Sequence, residues 1–318
     1  MNLRNIGMLA ACLGVAVAPA AQASCGSAVC SINTGAEAQN FPQVGQSRLD
    51  LRFEFIDQDQ PRAGSRDVAI GEIRRHHDEV RTINRNVIAA FDHRYSASWG
   101  VTVQAPLVSR LHDHNHNHHG AVIPEQWSFA ELGDARVLGR YYFSEHENAG
   151  SSASFNFGVK LPIGGTGVTN DEGERAERSL QPGSGSTDAL LGVSYHRQLT
   201  DHQSSWFASA LWQKPIATRG AYEPGARVSL DLGLRHGFSE RLTALLQLNT
   251  QWRGRDRGLE AEPEDTGGTF INLSPGLSYA LTPETELYGF FQQPIYQYVN
   301  GVQLTEDWSA AVGISQRF

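Results

Sequence analysis

The sequence predicts an all-β chain that closes into an antiparallel, up-and-down transmembrane β-barrel of about 12 strands. From residue 47 onward, segments alternate apolar and polar side chains, and a period of two indicates strands that face two different environments. Short and long connections also alternate, as they do in outer-membrane barrels, where periplasmic turns are short and extracellular loops are long. After residue 23, no apolar run reaches the roughly 18 residues that a membrane helix needs.

The predicted strands each provide the ~9–11 tilted residues that cross a bilayer, and their even number is typical of bacterial single-chain barrels. They are 47–57, 81–95, 98–109, 127–144, 151–162, 187–200, 203–215, 225–238, 240–253, 268–282, 284–297 and 305–318. The long connections, which we expect on the extracellular side, are 58–80, 110–126, 163–186, 216–224, 254–267 and 298–304.

Charged side chains share one face of these strands. In the first strand Leu49, Leu51 and Phe53 point one way, and the charged residues between them point the other way. A charge on the lipid face costs about 2–4 kcal/mol at the bilayer midplane, so the charged face must line a lumen. The predicted lumen residues are Asp50, Arg52, Glu54, Asp134, Arg136, Arg140, Lys160, Arg227, Asp231 and Arg235. They either neutralise one another or form a ring that selects solutes.

Two strands, 203–215 and 284–297, do not alternate cleanly, and their faces stay unassigned. Aromatic residues near the strand ends predict girdles at the two membrane interfaces; they are Trp99, Trp127, Tyr142, Trp206, Trp252, Tyr288 and Trp308. The terminal Phe318 resembles the C-terminal signature that outer-membrane barrels present to the barrel-assembly machinery. Membrane lipid and that machinery are therefore expected partners.

Other classes fit less well. A soluble β-sandwich would also alternate, but a chain of this length would need two domains and a linker, and none is visible. The net charge of −8 at pH 7 disfavours nucleic acid as a partner. Three cysteines are too few for a disulfide scaffold. The oligomeric state is left open.

The N-terminus has the pattern of an export signal. Residues 1–23 combine Arg4, an apolar stretch and an Ala-Gln-Ala cleavage site, which predicts a secretory signal peptide and, with the barrel, the outer membrane of a Gram-negative cell. Residues 24–46 are expected in the periplasm, as a tail or a small plug, and 47–318 form the barrel. Cys25 and Cys30 are expected to form a disulfide, because the exported chain matures in an oxidising compartment.

A histidine-rich stretch stands out in the predicted loop 110–120. Imidazole groups suit borderline metals such as Zn, Cu and Ni; the candidate ligands are His112, Asp113, His114, His116, His118 and His119. His76 and His77 lie in the preceding long connection and are expected nearby. Either this loop captures a divalent metal, or it is a polar surface loop with incidental metal affinity. No cofactor is required by any other motif.

Enzymatic signatures are absent. The sequence contains no G-x-S-x-G motif and no H-E-x-x-H motif. One class of outer-membrane phospholipase is also a 12-stranded barrel with a Ser–His pair on its outer wall. His93 and His196 are strand histidines, but the sequence alone does not determine whether a serine lies beside either of them. We therefore expect a protein that is not an enzyme.

Three stretches carry a resemblance to a known family: ELGDARVLGRYYF (131–143), FNFGVKLPIGGTG (155–167) and LQPGSGSTDALLGVSY (180–195). In order and spacing they resemble the outer-membrane barrels named for the meta-pathway of phenol degradation. The resemblance covers about residues 130–195 and implies a transporter-like barrel for small, aromatic or hydrophobic compounds.

These observations together favour a passive outer-membrane channel for small solutes. Two alternatives are a surface barrel that captures or senses metal through residues 112–119, and a closed barrel with a structural role.

Overall fold

The computed structural model describes residues 34, 42–74, 77–118, 121–143, 150–200 and 203–318. The predicted signal peptide, the Cys25–Cys30 pair, His76 and His119 lie outside the described residues. Within the described part of the chain, no helix is long and apolar enough to span a membrane.

Within the described residues, thirteen antiparallel strands form one sheet that closes on itself. They are β1 (Ser47–Gly64), β2 (Arg66–Asp67), β3 (His77–Arg94), β4 (Trp99–His118), β5 (Ala121–Leu132), β6 (Ala135–Tyr142), β7 (Ser151–Leu161), β8 (Ser186–Gln198), β9 (Ser204–Thr218), β10 (Arg227–Gly237), β11 (Leu242–Arg253), β12 (Gly268–Ala280) and β13 (Thr285–Arg317). Eleven of them follow one another around the barrel, which closes where β13 pairs with β1. Two strands are not part of this ring: the short β2 pairs with β1, and β5 pairs with β4.

The last strand crosses the wall twice. It has 33 residues, which at about 3.3 Å per residue is far longer than a bilayer is thick. Residues 286–299 pair with β12 and residues 299–317 pair with β1. Gly301 has a φ of 58° between the two halves, and Ser309 Oγ on the second half donates to Gln292 Oε1 on the first, 3.1 Å away. The wall therefore has the twelve crossings that the sequence predicts.

An apolar belt covers the outside of the barrel. Leu49, Leu51 and Phe53 on β1 are exposed, whereas Asp50 and Glu54 between them are buried. The same division holds on other strands, where Leu230, Leu232, Leu234, Val312 and Ile314 are exposed. Because exposed apolar residues form a continuous outer surface and charged ones point inward, the all-β transmembrane barrel is confirmed.

Inward-pointing rings explain the strands without clean alternation. Phe207 on β9 is completely buried, and a side chain at Gly233 on the neighbouring strand would overlap its ring. Phe290 lies in the same way against Gly276. Glycine on the adjacent strand leaves room for a ring inside the barrel, so an aromatic residue replaces the expected polar one.

The predicted aromatic girdle is correct only in part. Trp99, Trp252 and Trp308 are exposed, between 41% and 47%. The prediction is wrong for three other aromatic residues, Trp127, Tyr142 and Tyr288. They are at most 3% exposed, because their side chains point into the barrel.

Several predicted loops are strand. The connection expected at 110–126 is the upper end of β4 followed by β5, and β1 and β3 also extend into the connection expected at 58–80. On the outer wall of these extended strand ends, Arg81 forms an exposed ion pair with Asp57 at 2.5 Å. Charges on the lipid face are costly, so these strand ends project beyond the bilayer on the side of the long connections. The predicted strand 127–144 is broken at Gly133 and Asp134, between β5 and β6.

Candidate functional site

A cavity of about 390 Å³ lies inside the barrel. Nine of the ten predicted lumen residues line it, namely Asp50, Arg52, Glu54, Asp134, Arg136, Arg140, Lys160, Arg227 and Asp231. The tenth, Arg235, follows Gly233 on the inward face of β10, towards the short turns, and does not line the cavity. Six charged lining residues were not predicted: Arg48, Asp92, Arg110, Arg178, Asp188 and Arg253.

Lys160 is the centre of a compact charged group in the described part of the wall. Its Nζ lies 3.1 Å from Asp134 Oδ2 and 3.1 Å from Asp188 Oδ2, and it donates to Ser186 Oγ at 3.1 Å. Asp134 occupies the break between β5 and β6, where it also accepts hydrogen bonds from the backbone of Gly164 and Ser184. The break therefore positions a carboxylate that joins the wall to the connection 162–185.

A second charged group lies on β1 and β3. Arg48 donates two hydrogen bonds to Asp92 Oδ2, at 3.0 and 2.8 Å. The next inward residue on β1, Asp50, accepts from the hydroxyl of Tyr288 at 2.9 Å. One step further, Arg52 and Glu54 form an ion pair of 2.8 Å. These contacts fix the side chains of β1 against the wall.

Basic residues outnumber acidic ones around the cavity. The described lining contains nine basic and six acidic side chains, a formal excess of three positive charges. Arg253 and Arg178 also have carboxylate partners just beyond the lining, in Asp256 at 2.8 Å and Glu260 at 3.1 Å. In contrast, Arg136 and Arg140 donate to the neutral side chains of Gln213 and Asn156. Both arginines lie on β6 and line the cavity, and the carboxylates of Asp134 and Asp188 also interact with Arg136.

The opposite part of the interior is polar but uncharged. A chain of hydrogen bonds crosses β11, β12 and both halves of β13 through Asn249, Ser274, Gln292 and Ser309, with distances of 2.8 to 3.1 Å. Nearer the short turns, the rings of Tyr288 and Phe290 join a buried apolar cluster. The charged cavity thus occupies one side of the barrel, because the other side is filled by side chains.

The connection 162–185 folds inward at the mouth. Its residues Ala176 and Leu180 form a buried cluster with Trp127 of β5 and with Leu304 of β13, on another part of the wall. The indole N–H of Trp127 donates to the carbonyl oxygen of Glu174, 2.9 Å away. Several residues of the same connection also line the cavity. This segment therefore narrows the entrance from the long-loop side.

A second inward connection is held by a buried charge. Asp256 is fully buried, accepts from Tyr222 at 2.6 Å and from the backbone of Gly225 at 2.7 Å, and pairs with Arg253. Burial raises the pKa of this carboxyl, but Arg253, Tyr222 and Gly225 together outweigh burial and hold the pKa below its usual value. Asp256 therefore helps to hold the connections after β9 and β11 together, along with the backbone hydrogen bonds between Glu223 and Arg257.

The histidine-rich stretch lies at the same mouth, as strand rather than loop. On β4, His112, His114 and His116 point inward, and β3 brings Glu79 opposite them. One ligand atom from each of Glu79, His112 and His114 lies within 4.8 Å of the other two. A bulge between Glu79 and Arg81 is what turns both Glu79 and Thr82 to the inside.

Two corrections to the predicted ligand set follow. Asp113 cannot join the group, because successive side chains of a strand alternate and Asp113 is on the outer face, bonded to Gln126 at 2.6 Å. Glu79 is the carboxylate that lies close to the two histidines, and it was not among the candidate ligands because it falls in a predicted loop. His116 and His118 lie further along the strand, with rings 6.0 Å apart, outside the close group.

The environment of the two inner histidines favours neutral imidazole. Burial lowers the pKa of His112 well below its usual value. Burial, with a smaller effect of His116, lowers the pKa of His114 to about 4. Each ring also has a polar neighbour at one of its nitrogens. His112 Nδ1 is 2.8 Å from Thr82 Oγ1, and His114 Nε2 is 2.9 Å from Glu125 Oε2.

Two Ser–His pairs lie near the short turns among the described residues, and in one of them Ser204 Oγ lies 2.8 Å from Nδ1 of His236. In the other, Ser47 Oγ lies 2.8 Å from Nδ1 of His93. In hydrolytic triads the serine bonds Nε2, while Nδ1 is oriented by a carboxylate. The arrangement at His93 is therefore the reverse of a catalytic one.

The N-terminal segment reaches the interior at one described position. Thr34 is buried and lines the cavity.

Comparisons with known proteins agree with the fold. No protein-family model matches the sequence, so the predicted resemblance to the phenol-pathway barrels is not confirmed, and no curated protein matches it either. Among solved structures, the chain is similar to an outer membrane channel from Pseudomonas putida F1, with 13% identity and a TM-score of 0.64 over 90% of this chain and 100% of that one. It also matches the KdgM porin (12% identity, TM-score 0.45, 85% and 99% coverage) and the NanC porin (10%, 0.47, 84% and 98%). The first of these similarities shows that the chain has the fold of an outer-membrane β-barrel.

Proposed function

We propose that this protein is a passive channel in the outer membrane of a Gram-negative cell, with small anionic solutes as its preferred cargo. The observation that carries the proposal is the cavity of about 390 Å³, lined by charged side chains inside a closed barrel.

The charge distribution supports anions. Arg136 and Arg140 project from β6 into the cavity, whose described lining carries nine basic and six acidic side chains, and both guanidinium groups contribute to this positive excess. Arginine is well suited to carboxylate and phosphate groups, because its planar guanidinium donates two parallel hydrogen bonds. A purely hydrophobic compound would gain nothing from this lining, whereas an aromatic carboxylate would suit both the lining and the family resemblance.

The narrowed mouth sets the size of the solute. The connection 162–185 is anchored by Trp127 and Leu180, so large molecules cannot enter while it stays in place. Passage requires no energy source and no catalytic step, and the expected role is that of a selective diffusion channel.

Flux measurements test the proposal. The folded protein is placed in liposomes, and swelling is followed in isotonic solutions of benzoate, a small neutral sugar and a small organic cation. We expect the fastest swelling with benzoate and the slowest with the cation. Swelling no faster than that of protein-free liposomes with all three solutes would overturn the channel function, and equal rates for all three would overturn the anion preference.

A further inference from the structure

A buried group of metal-ligating side chains lies at the mouth of the barrel, apart from the charged cavity. Its members are Glu79 on β3 and His112 and His114 on β4, all buried. Burial of a carboxylate is costly unless it is paired or bound to a metal, and the fold directs all three side chains inward to one point. This convergence is the observation that needs an explanation.

We propose that Glu79, His112 and His114 bind one divalent transition-metal ion of the zinc class at the mouth of the barrel. Two imidazoles and one carboxylate form a donor set that suits Zn²⁺ and its borderline neighbours, and that Mg²⁺ and Ca²⁺ do not favour. Three protein ligands leave one coordination position open for water or for an anionic solute.

The hydrogen bonds around the two histidines match the arrangement around bound metals. A ligating histidine uses one ring nitrogen for the metal and the other for a polar partner that orients the ring. Thr82 occupies Nδ1 of His112, and Glu125 occupies Nε2 of His114. The two nitrogens that remain, His112 Nε2 and His114 Nδ1, are buried and make no hydrogen bond within the described residues.

The spacing of the ligand atoms is also suitable. His112 Nε2 lies 3.2 Å from Glu79 Oε2, which is close to the separation of two ligands that share one zinc ion at about 2.0–2.2 Å from each. All three ligand atoms lie within 4.8 Å of one another, so small rotations of the side chains complete the site without movement of the backbone.

The location gives the site a consequence for the channel. The ring of Trp127 is 4.7 Å from that of His114 and 5.8 Å from that of His112, and the same indole anchors the connection 162–185. A bound metal would join β3 to β4 next to this anchor and stiffen the entrance. The site does not depend on the channel function, because it is a property of the strand ends alone.

Zinc titration of the folded protein tests the site. The protein carries an affinity tag without histidine, and binding is measured by calorimetry near neutral pH with ZnCl₂ and with MgCl₂. We expect one zinc ion per chain with a dissociation constant of about 10 μM or tighter, no magnesium binding, and a higher thermal unfolding midpoint in zinc, since a ligand of the native state stabilises it.

Variants separate this site from incidental binding by surface histidines. Glu79→Gln, His112→Asn and His114→Asn should each weaken zinc binding at least tenfold, and Thr82→Val should weaken it by roughly tenfold through loss of the orienting hydrogen bond. His118→Asn on the same face and Asp113→Asn on the outer face are the matched controls and should bind as the wild type does. For each variant, a difference in gel mobility between unheated and heated samples shows that the barrel was folded before heating.

Three results would overturn the proposal: no saturable zinc binding by the wild type, equal affinity in the His112→Asn and His118→Asn variants, or an undiminished affinity in Glu79→Gln. The last of these would show that the histidines bind zinc without the β3 carboxylate.

Discussion

Lys160 Nζ lies 3.1 Å from Asp134 Oδ2, and this ion pair joins β7 to the break between β5 and β6. Both side chains are less than 10% exposed. Asp188 lies at the same distance from the lysine on the other side. One cation thus compensates two carboxylates in the wall of the cavity.

Replacement of Lys160 should destabilise the barrel. In Lys160→Met two inward carboxylates lose their cation, and removal of one partner of a buried ion pair costs about 3–5 kcal/mol. Water in the cavity reduces the cost, so we expect the free energy of unfolding to fall by roughly 2 kcal/mol. Urea unfolding in lipid vesicles measures it. Lys214→Met is the control, because Lys214 is the only other lysine and is exposed; equal effects of both variants would contradict the assigned role.

A methyl group at position 233 should disturb the interior. In Gly233→Ala the new carbon would overlap the ring of the fully buried Phe207, and overpacking of this kind costs about 1–3 kcal/mol. The same unfolding measurement checks it. Gly167→Ala is the matched control, since nothing lies within 4 Å of a carbon added there. A stable Gly233→Ala variant would show that Phe207 does not need the space that the glycine leaves.

The connection 162–185 should act as a constriction. In Leu180→Asp a carboxylate replaces a side chain that is 1% exposed in the cluster with Trp127 and Leu304, so the segment should detach from the mouth. We expect a larger single-channel conductance in planar bilayers. Leu259→Asp, at a position 96% exposed, should leave the conductance unchanged. A Leu180→Asp channel with wild-type conductance would mean that this segment does not limit the current.

The stability that Asp256 provides should depend on pH. Its pKa is depressed in the folded barrel, so its contribution is complete above the unfolded value of about 4 and is lost as the pH falls through the lower folded value. Asp256→Asn should lower the free energy of unfolding by roughly 2 kcal/mol at pH 7, and the difference from wild type should shrink only below about pH 4. Glu240→Gln, at an exposed position, should show no difference at either pH. A gap that narrows already between pH 7 and 5 would contradict the assigned pKa.

The sequence predicted the barrel and its charged face because both depend on local alternation. Asp50, Arg52 and Glu54 could be assigned to the lumen from β1 alone, since a lipid-facing charge is costly whatever the neighbouring strands contain. The same pattern was available at Asp188, where alternation with the apolar Leu191 and Val193 places the carboxylate inside.

The remaining features depend on contacts between strands that are distant in the sequence. Phe207 points inward only because Gly233 lies beside it on β10. Glu79 lies beside His112 because a bulge in β3 changes which residues of the strand point inward. The apolar–polar periodicity of a sequence does not predict where a bulge occurs. Asp113 was included among the candidate ligands because a run of histidines does not show whether it is loop or strand, and only a strand places Asp113 on the face opposite to His112 and His114.

The reversal potential in a KCl gradient tests the central claim most directly. The folded protein is inserted into a planar bilayer with different KCl concentrations on the two sides, and the zero-current voltage gives the ratio of chloride to potassium permeability. The proposed channel predicts discrete conductance steps with a preference for chloride, which decreases in Arg136→Gln and Arg140→Gln and is unchanged in Arg241→Gln at an exposed turn. A folded barrel that gives no conductance, or one that prefers potassium, would contradict it.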